Sequence, residues 1–185
     1  MKLTVKLRTG DKKSDIKQIR REGDIPAIIY SLKGQPRKMI VNGVEFNAVL
    51  RQMKSGRLPT TIFTLIDGKT ETKVVVKDIQ YHLTTYKVSH IDFVELNDNV
   101  PVSVKVPISC TGVAECAGVK LGGFLRQVAR FVKVECLPKS IPAEFEVDVK
   151  DLGIRQSRRL KDVKIPEGVR PLASMDEVLI VIAKR

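Results

Sequence analysis

The stretch "IFTLIDGKTETKVVVKDI", residues 62–79, sets two runs of β-forming residues on either side of Asp67-Gly68. Aspartate followed by glycine suits a tight hairpin turn, because glycine reaches positive φ at no steric cost. The pattern predicts strands over residues 62–66 and 72–79, folded against each other. Working outward, residues 3–8 ("LTVKLR") alternate apolar and polar with period two and read as a first strand. Further strands are expected over 25–31, 37–42 and 86–94, the last ending in His90-Ile91-Asp92-Phe93.

Two helices interrupt these strands. Ser14 is placed to cap one that runs through about Glu22, with Ile16 and Ile19 as its apolar positions. Gly23 stops it and Pro26 forbids its continuation. Lys13, Lys17, Arg20 and Arg21 fall three or four apart on it, a basic stripe expected opposite the isoleucines. Asn42, with Glu45 three positions on, has the form of a capping box for a second helix. Phe46, Val49, Leu50 and Met53 make its apolar stripe, and Gly56 its expected end. Six short strands and two short helices, without a repeated βαβ spacing, imply a small barrel or curled sheet with helices at its ends.

The texture changes at Leu96-Asn97-Asp98-Asn99. Beyond it, residues 100–108, 124–137, 145–149 and 178–183 are strand-like, punctuated by Pro138, Pro142, Pro166 and Pro171. The expectation is a mainly β protein with a few short helices. A small N-terminal β-barrel domain covers 1–95, and a C-terminal all-β domain covers 96–185.

Charge narrows the function. Thirty-three Lys and Arg against twenty-one Asp and Glu give a formal net charge of +12 and a pI near 9.8. Residues 1–95 carry +8 of this and 96–185 carry +4, while residues 1–40 hold eleven basic and four acidic side chains. Such a local excess favours a polyanionic partner over a surface that is only well solvated, and RNA is the more natural one. Cations on a helix can follow a phosphate backbone, while polar and aromatic groups such as Tyr30, Gln80, His90 and Asp92 reach sugars and base edges. No apolar run approaches the ~20 residues of a membrane helix, and residues 1–6 have no signal-peptide core, so a place inside the cell is expected. Cys110, Cys116 and Cys136 are an odd number in no CxxC arrangement and read as reduced thiols, with no metal site.

Catalytic machinery is not evident. His90 and Asp92 point to the same side of a period-two strand, as an acid–base pair or as hydrogen-bonding groups on a binding face. No GxSxG, P-loop or dinucleotide fingerprint is present, and Gly122-Gly123 reads as a turn or bulge. Arg155, Arg158, Arg159 and Lys161 form a second basic cluster, either a solvated loop or a contact with RNA or a neighbouring protein.

"RREGDIPAIIYS" (residues 20–31), "KDIQYHLTTYKVSHIDFVEL" (77–96) and the series "GGFLRQVARFVKVECLPKSIPAEFEVDVKDLGI" and "IPEGV" in the second half closely resemble the bacterial 5S rRNA-binding ribosomal proteins. More narrowly, they are similar to the two-domain general stress protein CTC type of the twenty-fifth large-subunit protein. The resemblance spans nearly the whole chain. It implies an N-terminal barrel that binds the loop E region of 5S rRNA at its minor groove, in the central protuberance of the large subunit. The C-terminal β domain would touch neighbouring rRNA and ribosomal proteins. Arg8, Lys13, Lys17, Arg20 and Arg21 would meet phosphates, and Tyr30, Gln80, His90 and Asp92 the groove and base edges. It implies no enzyme activity, cofactor, metal or small-molecule substrate, and a cytoplasmic, ribosome-associated protein. Gln18, Ser31 and Tyr81 depart from the family pattern, and residues 155–159 are unusually basic for it. Two other readings stay open: an RNA-binding protein acting off the ribosome, and a module whose basic face meets an acidic protein.

Overall fold

The computed structural model describes the chain apart from residues 11, 32, 33, 69 and 185. It falls into two compact units, Met1–Asp98 and Asn99–Arg185, so Leu96, buried and hydrogen-bonded through its amide to Lys73 O, belongs to the first. Both units are mainly β, as the sequence led us to expect.

The first unit runs β1 (Lys2–Leu7), α1 (Lys13–Glu22), β2 (Ile25–Tyr30), β3 (Arg37–Val41), α2 (Gly43–Gln52), β4 (Ile62–Asp67), β5 (Thr70–Tyr81) and β6 (Val88–Glu95). Its strands close a barrel in the order β1-β3-β2-β6-β5-β4. The β1–β4 and β2–β6 pairs are parallel and the others antiparallel. Closure removes every sheet edge, which a small basic protein would otherwise have to protect. Phe63 and Phe93 meet inside the barrel with ring centroids 6.5 Å apart, and Phe46 of α2 packs on Phe63 at the same distance. All three are fully buried.

The hairpin is longer than its sequence pattern, because Asp67 and Thr70 still pair, and Gly68 turns the chain at φ +59°. In β5 the register slips between Val76 and Asp78, so Lys77 is an extra, bulged residue. The bulge is what lets both Val76 and Ile79 reach the core, three positions apart, on a strand whose side chains alternate.

Capping differs from expectation in three places. Helix α1 begins at Lys13 with Lys12 at its N-cap and no side-chain cap; Ser14 lies within the first turn and donates to Asp15 Oδ1 at 2.9 Å. Asn42 caps α2 as expected, accepting from the amides of Val44 (2.9 Å) and Glu45 (3.2 Å). Glu45, however, reaches across to the amide (2.8 Å) and hydroxyl (3.1 Å) of Thr4, stapling α2 to β1 instead of closing a capping box. Helix α2 ends at Gln52, and Gly56, at φ +85°, serves the turn after it. Gly23 does end α1, at φ +92° with its N–H on Ile19 O. Its carbonyl lies so close to Gly43 that a β-carbon there would collide with it. The end of α1 and the start of α2 are thereby pressed together, and Gly43 N–H donates to Asp24 Oδ1 at 3.3 Å.

The second unit has β7 (Val102–Thr111), α3 (Ala117–Lys120), β8 (Phe124–Gln127), β9 (Phe131–Cys136), β10 (Phe145–Asp148), β11 (Ser157–Arg159), β12 (Val169–Pro171) and β13 (Val178–Ala183). They form two sheets, β10-β7-β9-β12 and β11-β13-β8. The single run expected over 124–137 is therefore two strands in different sheets. The amides of Val128 (2.8 Å) and Ala129 (3.2 Å) both donate to Leu179 O, and this kink redirects the chain from β13 to β7. Gly122, at φ +88°, makes a turn with Gly123, whose N–H bonds Gly118 O at 2.9 Å. Cys116 and Cys136 are buried and Cys110 half-buried, all as free thiols.

Candidate nucleic-acid interface

Alternation along β2, β5 and β6 buries Ala27, Ile29, Ile91 and Phe93 and turns their neighbours outward. On this outer face the register lines up one continuous row: Arg8 beside Lys38, then Ile28, Asp92 and Asp78. At about 4.8 Å per strand the row covers about 19 Å along the curved sheet, basic at one end and acidic at the other. Gln80 lies directly across from His90 in the adjoining row, and Tyr30 is level with Val94 in the next.

His90 Nδ1 and Asp92 Oδ1 are 2.9 Å apart, with only 18% and 24% of their side chains exposed. That bond fixes the proton of a neutral ring on Nδ1 and leaves Nε2 as the acceptor. Asp92 also faces Asp78 across the strands, a like-charge opposition that costs stability unless something with hydrogen-bond donors occupies the face. Two carboxylates repel phosphate. They accept well from base amino groups and sugar hydroxyls, so this part of the face suits groove edges better than backbone.

The cations come from α1. In steps of 100° Arg21 lies about 140° from Ile16 and about 160° from Ile19, opposite the apolar positions as expected, whereas Arg20 lies only about 40° from Ile16 and flanks them. This lets Arg20 Nε donate to Ser89 O at 3.0 Å, which ties the helix beside His90. Its two terminal amino groups have no protein partner among the described residues. Lys13, Lys17 and Arg21 are exposed and, with Ser14 and Gln18, line a shallow depression on α1. Arg20 and Arg21 also border a 620 Å³ cleft with Asp24, Arg51, His82 and Lys87. Gln18 donates to Glu22 Oε1 at 3.0 Å.

Arg8 follows β1 instead of lying in it; it is half-buried, and its Nε is enclosed with no partner among the described residues. Tyr30 ends β2, with Lys77 Nζ 5.5 Å from its ring centroid. Lys77 and Lys38 are face residues that pattern reading missed. The break in alternation at Val75-Val76-Lys77 was the available signal for Lys77, and Lys38 had none. Burial pushes the Tyr81 phenol up, so it stays a neutral donor. Among the described residues no cluster of His, Cys, Asp and Glu could hold a metal ion, and no helix is long and apolar enough to cross a membrane.

In the second unit the basic cluster is partly engaged. Arg159 Nη1 and Lys161 Nζ both reach Asp176 Oδ1 at 3.3 Å and hold its carboxyl below the ordinary range. Arg155 adopts φ +66°, its N–H on Ile182 O.

Residues 3–93 match the Ribosomal L25p family, and residues 101–185 match the model described as ribosomal protein TL5, C-terminal domain. The chain belongs to the ribosomal L25p family. It is 48% identical to the "Large ribosomal subunit protein bL25" of Chlamydia trachomatis serovar L2, 45% to that of Chlamydia muridarum and 43% to that of Chlamydia pneumoniae. Each comparison covers 100% of both chains. The two-domain form expected from the sequence is the one these relatives share, and the family is structural, not enzymatic.

Proposed function

We propose that the barrel binds 5S rRNA at its loop E region, with α1 on the phosphates and the β2-β6-β5 face in the minor groove. As a member of its family the chain is a structural constituent of the large ribosomal subunit, associated with rRNA on cytoplasmic ribosomes. The observation that carries the finer reading is the Arg20–Ser89 tether. It holds a guanidinium whose terminal nitrogens have no partner among the described residues at Ser89, next along β6 from His90 of the His90–Asp92 pair, which supports phosphate-seeking and base-edge groups acting together. Arg8, Lys13, Lys17, Arg20 and Arg21 serve the backbone, and Tyr30, Gln80, His90 and Asp92 the groove. In this reading the protein helps anchor 5S rRNA in the central protuberance.

The test is a titration of the full chain with 5S rRNA and with a duplex of equal length lacking loop E, at several salt concentrations. Saturable preference for 5S rRNA that persists near physiological salt is expected. Equal binding to both, collapsing together as salt rises, would leave only a non-specific polycation.

A further inference from the structure

We propose that the outer face of the second unit's four-stranded sheet is a separate RNA-binding surface, on which an unpaired base stacks on Phe131. The face is independent of the barrel reading. Along β7 and β9, Val104, Val106, Val132 and Val134 turn into the core, so Lys105, Phe131 and Lys133 face out. Phe131 is 53% exposed, an aromatic ring left on an open sheet. Lys105 and Lys133 are direct cross-strand partners. Neither has a carboxylate within ion-pair reach among the described residues, although Glu135 is one pleat away. A surface kept only for solubility would alternate its charges, since like charges directly opposed weaken strand pairing. An anion over the pair relieves that repulsion.

Arg170, exposed and paired in register with Glu135 but forming no ion pair with it among the described residues, extends the basic area across β12. Acidic Glu146 and Asp148 lie on β10 at the level of Ser109 and Thr111; Glu146 is one pleat along β7 from Pro107, the partner of Phe131, and bounds the basic and aromatic area on the β10 side. Lys105 Nζ sits 5.4 Å from the Phe131 ring centroid. An exposed cation–π contact is weaker than a base stacked on the same ring, so a base displaces the ammonium, which then meets the adjoining phosphate. Ring plus phosphate-reaching cations on a sheet is the chemistry of single-stranded RNA recognition; a duplex hides its bases from such a ring.

The experiment titrates fluorescent single-stranded oligo(A) and a duplex of equal length against the full chain, in wild-type and Arg20→Ala backgrounds. Phe131→Ala should weaken oligo(A) on the order of tenfold in both backgrounds and leave the duplex nearly unchanged. Phe131→Tyr should keep the affinity. Lys105→Ala with Lys133→Ala should flatten the salt dependence by about 1.4 in log–log slope. Because Phe131 lies outside the core, circular dichroism should report an intact fold in every variant. Unchanged oligo(A) affinity and slope in the Phe131 and lysine variants would overturn the proposal. So would loss of polyglutamate binding alone, which would assign the face to an acidic protein. Failure of 5S rRNA discrimination in the barrel would leave these outcomes untouched.

Discussion

Replacing Arg20 by alanine separates two roles that the structure gives one side chain. Its Nε–H bonds a backbone carbonyl, Ser89 O, at 3.0 Å on an exposed surface. A surface hydrogen bond of this kind contributes about 0.5–1.5 kcal/mol net, so Arg20→Ala should lower folding stability by about 1 kcal/mol. The guanidinium's remaining donors are uncommitted among the described residues, and a charge-assisted bond to phosphate is worth about 1–3 kcal/mol. The 5S rRNA dissociation constant should therefore rise on the order of tenfold, and the log–log salt slope should fall by about 0.9 for one lost duplex phosphate contact. Arg20→Lys should keep most of the slope yet lose affinity, because an ammonium cannot hold the carbonyl and a phosphate in one planar fork. Urea denaturation reads the first effect and salt-resolved titration the second. A variant that is destabilised while its affinity and slope are those of the wild type would show that Arg20 only fastens α1 to β6.

Asp92→Ala should weaken 5S rRNA binding about tenfold through lost acceptance from base or sugar donors, while stability moves by less than about 1 kcal/mol. The small net change arises because losing the His90 bond is offset by relief from Asp78, and parallel binding and urea curves would check it. Gly43→Ala forces a β-carbon against the Gly23 carbonyl and should cost about 2 kcal/mol or more in thermal or urea unfolding, as the two helix ends separate. Phe63→Ala empties the junction of Phe46 and Phe93 and should cost about 3–5 kcal/mol, enough for calorimetry to show the first unit melting early. Asp176 has its carboxyl lowered by hydrogen bonding and charge from Lys161, then Arg159. Its stabilisation is present above the usual carboxylate pKa near 3.9 and lost as pH falls towards the folded value, so Asp176→Asn should differ from wild type at neutral pH and converge with it in acid.

Local chemistry was legible in the sequence wherever a few neighbouring side chains decide it. Asp67-Gly68 announced the hairpin, Gly23 and Pro26 the end of α1 and the start of β2, and Asn42 the cap of α2, because each acts within a turn of its own backbone. Period-two alternation likewise placed His90 and Asp92 on one side of a strand, and the structure holds them 2.9 Å apart. The same logic misjudged residues 124–137, where even alternation hides a change of sheet made by Leu179, more than forty positions away. It also misread Glu45, whose partner Thr4 is distant in sequence, and put Arg20 opposite the isoleucines, although it flanks Ile16 and reaches β6. The row from Arg8 to Asp78 exists only because strands from both ends of the barrel close in one register. By itself, then, the sequence determined the β elements of the barrel, the helix that carries the cations and the residues that alternate outward, but not the short strands β11 and β12 of the second unit. Which of those residues stand side by side was decided by the pairing of distant strands, because register is set by burying the whole interior at once and no local pattern contains that information.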